Sequence, residues 1–140
     1  MAPLPFEGSG GCDCSGFVAW SLSESRHIKD QGRAKAFGNW IETSAMERDA
    51  TGARALFEQV ALASTLPGDV LVYGDRGAAQ GHAGIIAVCE PGGPVKVIHC
   101  SRGNERATGD AIRETDAALF LARGAIAARW KLLDKPLPPA

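Results

Sequence analysis

Three residues of this chain are suited to making and breaking bonds: Cys14, His82 and His99. Cys14 follows Asp13, a good helix N-cap, so its sulfur is expected in the first turn of a helix, at the positive end of the dipole. Unpaired backbone N–H groups point outward there, which favours the nucleophilic thiolate and can hold a developing oxyanion. A free cysteine can equally be a small buried residue, so the histidines decide the reading. Beside them, the thiol fits a three-part arrangement: His82 takes the thiol proton, and His99 fixes the tautomer and angle of His82 through its other ring nitrogen.

That arrangement requires specific elements. Asp13 and the run Cys14-Ser15-Gly16-Phe17-Val18-Ala19-Trp20-Ser21-Leu22 put Phe17, Val18, Ser21 and Leu22 on the face of Cys14, which predicts a helix over 14–25. The polar stretch from Glu24 to Gly52 has no sustained period. Leu56, Phe57, Val60 and Ala63 fall at helical spacing, so a second amphipathic helix is expected over 53–64, ended by Pro67-Gly68. Beyond it the period becomes two, giving strands over 69–73, 82–89 and 95–100, with a turn at Pro91-Gly92-Gly93-Pro94. A long polar loop is expected over 101–116, followed by short strands over 118–122 and 125–130 and an irregular, proline-rich tail over 131–140. The sum is a single α+β domain over 1–140, with its core over about 5–130, in which an N-terminal helix packs on an antiparallel meander.

In a hairpin with an even-numbered loop, an even position on one strand and an odd position on the other share a face. His82 and His99 can therefore point the same way. Cys100 points to the opposite face and is a poor catalytic candidate. His27, among Ser25, Arg26 and Lys29, reads as a solvated surface residue.

Composition removes several function classes. With 140 residues, 45% of them hydrophobic, and 15 basic against 16 acidic side chains, the chain has the size of one ordinary domain and no surplus positive charge for nucleic acid. Its longest apolar runs are far shorter than the roughly 20 residues of a membrane-spanning helix. The N-terminal Met-Ala-Pro-Leu-Pro-Phe-Glu-Gly does not have the pattern of a secretory signal. The expected localisation is thus cytoplasmic as made, with any action at a cell wall or periplasm reached by a non-standard route or by a phage.

The four motifs together resemble a known family. Asp13-Cys14-Ser15-Gly16-Phe17-Val18 is similar to the nucleophile motif of the NlpC-type cell-wall cysteine peptidases. Leu66-Pro67-Gly68-Asp69-Val70 resembles the segment that opens their sheet, Gly81-His82-Ala83-Gly84-Ile85 their base motif, and Val97-Ile98-His99-Cys100-Ser101 their third-residue motif. The likeness runs in order from about Pro5 to Trp130. It implies a compact papain-like fold, Cys14 as nucleophile with its backbone N–H in the oxyanion hole, His82 as general base and His99 as orienting residue. It also implies hydrolysis of an amide in peptidoglycan stem peptides, often between D-glutamate and a diamino acid, without metal or cofactor.

The chain departs from the family where members carry a Tyr-x-Trp-Gly-Gly-like stretch. Here Pro5-Phe6-Glu7-Gly8-Ser9-Gly10-Gly11 stands in its place, and Phe6 has no hydroxyl. The segment between the histidines and the polar stretch over 23–54 are also long for the family. Candidate substrate contacts are Phe6, Ser15, Trp40 and Arg102. Trp40, with Asn39, Thr43 and Ser44, can line a groove or cover the core, and Arg102, Arg106 and Arg113 can meet a carboxylate or lie in a solvated loop. Tyr73 can face the cleft or the core, and Asp69 reads as a turn or strand-start residue.

Two further readings use the same residues. An acyltransferase or amidase would resolve the same thioester with another acceptor. Cys12-x-Cys14 with two histidines also suggests a non-catalytic zinc or binding module, although structural zinc sites usually place two to four residues between paired cysteines. Cys12 itself reads as a free loop thiol.

Overall fold

The computed structural model describes residues 14–22, 28, 37–38, 40–101 and 112–131. Its elements in chain order are α1 (Cys14–Ser21), α2 (Thr43–Thr51), β1 (Phe57–Val60), a 3-10 turn (Leu62–Ser64), β2 (Val70–Tyr73), β3 (His82–Glu90), β4 (Gly93–Cys100), β5 (Ile112–Asp116), α3 (Ala118–Leu121) and β6 (Ile126–Trp130). The chain is α+β, with one six-stranded antiparallel sheet in the order β1-β6-β2-β3-β4-β5. Strands β2 to β4 form the expected meander, and β5 extends it by one strand. The last strand departs from it, returning across the sheet to lie between β1 and β2.

Alternation along the strands divides the core in two. Val70, Val72, Ala83 and Ala128 face α1 and α2, meeting Val18, Ala19, Ile41, Met46 and Leu56. Leu71, Ile86, Val97 and Ala127 face the other way and are covered by Phe120 of α3. No helix among the described residues is long and apolar enough to cross a membrane.

Four expectations are corrected. The helix over 53–64 is replaced by β1 and the 3-10 turn. The Asp49 carboxylate accepts the N–H groups of Ala55, Leu56 and Phe57 at 2.8, 3.0 and 2.9 Å, and Arg54 before them has φ of 54°. The Phe57 N–H is thereby unavailable for a helical bond, and Phe57 instead pairs with Trp130 across the strands. The polar stretch conceals α2, whose buried face is Thr43, Ala45, Met46, Asp49 and Ala50. Its period is helical, but two of its five inward residues are polar.

The loop over 101–116 ends in a strand, β5, pairing with β4 from Lys96↔Asp116 to Cys100↔Ile112. The strand expected over 118–122 is the helix α3, where N–H groups bond back to Ala117 and Ala118. Of the helix expected over 14–25, α1 occupies Cys14–Ser21, and 23–25 lie outside the described residues, as do most of the tail and the first 13 residues.

Candidate active site

His82 and His99 come together as alternation predicts. The hairpin closes with Glu90↔Gly93 around Pro91-Gly92, and two register shifts, between Ile86 and Val88 and between Val88 and Cys89, cancel, so Ile85 still pairs with Ile98. The Nε2 of His82 lies 2.7 Å from the Nδ1 of His99, with the rings edge to face at 4.8 Å. The Nε2 of His99 in turn lies 2.7 Å from the Oγ1 of Thr115 on β5. Three side chains on three adjacent strands thus form one hydrogen-bonded line.

Both glycines of Gly81-His82-Ala83-Gly84 are required by close approach. A Cβ on Gly84 would meet the Cγ1 of Val97 at 2.4 Å and the Cβ of His99 at 2.9 Å. Its absence leaves the space through which the two rings meet. A Cβ on Gly81 would meet the Oγ1 of Thr43 at 2.4 Å and the carbonyl oxygen of Tyr73 at 2.6 Å. Gly81 is also held by its N–H, which donates to Asp75 Oδ1 at 2.7 Å.

α2 anchors the loop leading to His82. Ser44 Oγ accepts the Asp75 N–H at 3.0 Å, and Glu47 pairs with both terminal guanidinium nitrogens of Arg76, at 2.8 and 2.7 Å. This pairing holds the Glu47 carboxyl below its ordinary range. Ser44 and Thr43, considered for a groove, instead pack against the loop that leads to His82.

Aromatic rings keep water from the imidazoles. Phe120 stacks on His82 at 5.1 Å and meets His99 edge-on at 5.1 Å, and it also packs against Tyr73. Burial, then the proximity of His99, pushes the His82 pKa down to about 4, and burial lowers His99 as well. Both rings are therefore neutral at pH 7 and retain lone pairs. Among the described residues the Nδ1 of His82 has no hydrogen-bond partner.

Cys14 is the first residue of α1, half-buried and not part of a disulfide. α1 packs on β3 and β4, Phe17 meeting Cys100, Ile85, Ile98 and Ile112. Those residues are on the face opposite the imidazoles. A contact between Cys14 and His82 would have to be made around the end of the sheet, where β3 begins with His82 and β2 ends with Tyr73. Tyr73 is paired across the strands with His82; burial raises its pKa, Arg123 opposes this, and Cys14 reinforces it. Its ring faces His82 and Phe120, on the side of the imidazoles.

The other candidates separate. Ser15 is 3% exposed, so its side chain offers no surface to a substrate, whereas Trp40 is 46% exposed. Phe6, Arg102, Arg106, Asn39, His27 and Cys12 lie outside the described residues, and Arg113 is on β5, pairing with His99. Asp69 is buried and takes a two-pronged contact from Arg129, at 2.9 Å to each oxygen, while accepting the Leu66 N–H at 2.8 Å. It is a structural strand-start residue. Cys100 is buried beside Phe17 and disulfide-bonded, a cross-link at the end of the His99 strand and not an idle thiol.

Among the described residues no three His, Cys, Asp or Glu side chains gather into a metal-binding group. The sequence signals miss Thr115 and Phe120, because the β5 segment reads as a loop and the α3 segment as a strand. No protein-family model matches the chain, and no curated protein matches it.

Proposed function

We propose that the chain is a papain-like cysteine hydrolase that cleaves a peptide amide, with bacterial peptidoglycan stem peptides as the substrate class. The observation that carries this reading is the 2.7 Å contact of His82 Nε2 with His99 Nδ1 on neutral, desolvated rings, which leaves His82 Nδ1 for a proton. The thiol at the start of α1 and the four ordered motifs support it.

In the proposed cycle, His82 Nδ1 takes the Cys14 proton as sulfur attacks the carbonyl carbon, and the C–S bond forms. The resulting oxyanion is held by N–H groups at the start of α1, that of Cys14 included. Collapse breaks the C–N bond, and the imidazolium returns its proton to the leaving amine. Water, deprotonated by His82, then cleaves the thioester and restores the thiol. Burial makes the imidazolium unfavourable unless a negative charge stands beside it, so the proton is held only while thiolate or oxyanion is present. The disulfide at Cys100 fits work in an oxidising compartment outside the cytoplasm.

The test is mass spectrometry of muropeptides after digestion. Wild-type protein should release a defined stem-peptide fragment, while Cys14→Ala and His82→Ala should lose about 10^4-fold or more in turnover. A Cys14→Ala protein that still cuts would overturn the mechanism. Iodoacetamide should alkylate Cys14 faster than Cys89 at neutral pH, and Cys100 only after reduction; equal labelling of Cys14 and Cys89 would remove the nucleophile assignment.

A further inference from the structure

We infer that Thr115 is a positioning residue that sets the proton positions of both imidazoles by accepting the His99 Nε2–H. The inference rests on the reading of His82 as the base. Neutral imidazole carries one proton, and each ring in this line has two nitrogens to carry it. The contacts His82 Nε2 to His99 Nδ1 and His99 Nε2 to Thr115 Oγ1, both 2.7 Å, therefore permit two ordered arrangements.

In the first, the Thr115 hydroxyl accepts from His99 Nε2–H. His99 Nδ1 is then a lone pair and accepts from His82 Nε2–H, and His82 Nδ1 is left with a lone pair. In the second, the hydroxyl donates, every proton shifts by one nitrogen, and His82 carries its hydrogen on Nδ1. A base is available at Nδ1 only in the first. The first also serves the imidazolium stage, because a doubly protonated His82 still donates from Nε2 to His99 Nδ1. His99 and Thr115 then keep the same proton positions through the whole cycle.

The placement of Thr115 suits this role. It lies on β5, opposite Val97, so its side chain is on the face shared by Val97 and His99. β5 is the outermost strand and Thr115 is half-buried, so the hydroxyl can pass its own hydrogen to solvent while accepting from His99. An acceptor is needed, since the N–H of a largely buried ring left without one costs free energy. Valine has the same shape and strand preference as threonine but no oxygen, and serine keeps the oxygen with one methyl fewer.

The experiment uses the full chain labelled with 15N-histidine. With three histidines in the sequence, His27, His82 and His99, assignment by single substitution is direct. The 15N shifts distinguish a protonated Nε2 from a protonated Nδ1, so wild type at neutral pH should show Nε2–H on both His82 and His99. Thr115→Val should move either ring to a mixed or Nδ1–H form, and Thr115→Ser should restore the wild-type pattern. With digested muropeptides as substrate, Thr115→Val should lower kcat about 10-fold with KM changed less than about 2-fold, and serine should recover most of it.

Unchanged tautomers in Thr115→Val, or serine behaving like valine, would overturn the inference. A wild type that cleaves no muropeptide but shows the Thr115-dependent tautomers would reject the hydrolase and retain the role of Thr115. Active wild type with tautomers indifferent to residue 115 would do the reverse.

Discussion

Two sets of polar side chains in this molecule are arranged in opposite ways. Asp49 and Asp69 are acids with their oxygens occupied: Asp49 by three backbone N–H groups, Asp69 by Arg129 and the Leu66 N–H. His82, His99 and Thr115 are instead a neutral line, and among the described residues the line leaves His82 Nδ1 unengaged. A satisfied buried charge fixes a chain path and has nothing left to offer a ligand. A desolvated, pre-oriented base with one open nitrogen is poor for stability and useful for proton transfer. On the proposed reading, the difference separates architecture from chemistry.

Breaking the acid set should produce the largest loss of stability. Asp49→Ala would leave the N–H groups of Leu56 and Phe57 buried without acceptors, with Ala55 beside them. Unmade bonds of this kind cost about 1–3 kcal/mol each, so a loss of about 3–5 kcal/mol in urea unfolding is expected. Asp49→Asn, which keeps one acceptor oxygen, should lose less. Equal losses would mean that the carboxylate is not what holds β1 in place.

Gly84→Ala sharpens the comparison from the other side. The new methyl would strike Val97 and His99, forcing β3 and β4 apart where the imidazoles meet, at a cost of about 1–3 kcal/mol in stability. The 2.7 Å contact between the rings would open, so turnover should fall by far more than the unfolded fraction accounts for. Gly92→Ala is the control. Nothing lies within 4 Å of its Cβ position, and both stability and turnover should stay near wild type. Parallel losses of turnover and stability in Gly84→Ala would reduce the site to ordinary core packing.

What the sequence revealed follows the same division. The strands at His82 and His99 were legible because short apolar runs are bounded there by Gly and Pro turn signals, and parity allowed the two rings to share one face. Asp49 was not legible as an anchor: its partners are backbone groups six to eight residues away, and the segment it captures has helical spacing. Thr115 and Phe120 were missed for a related reason. β5 reads Ile-Arg-Glu-Thr-Asp, an edge strand with polar residues on its exposed positions, and Ala118-Leu119-Phe120-Leu121 is too short for its period to distinguish helix from strand.

A further effect is expected in the pH dependence of folding, and it tests the state of the imidazoles directly. In the unfolded chain a histidine titrates near 6.5, whereas burial and His99 hold folded His82 at about 4. Between these values the unfolded chain binds a proton that the folded one refuses, so stability increases with pH across the window. The contribution is fully present above pH 6.5 and is lost as pH falls toward about 4, at a slope of up to about 1.4 kcal/mol per pH unit for each such histidine. His99, lowered by burial, adds in the same direction. Carboxylates titrate at the acid end of this range too, so the informative quantity is a difference. His82→Asn, which has no ionisable ring, should show a flatter decline between pH 6.5 and 5 than wild type, measured by urea unfolding in steps of pH. Phe120→Ala should also flatten it, by admitting water to the ring and returning its pKa toward the ordinary value. If wild type and His82→Asn decline with the same slope, His82 titrates alike in both states, and the desolvation that sets the relay apart from the acid anchors is absent.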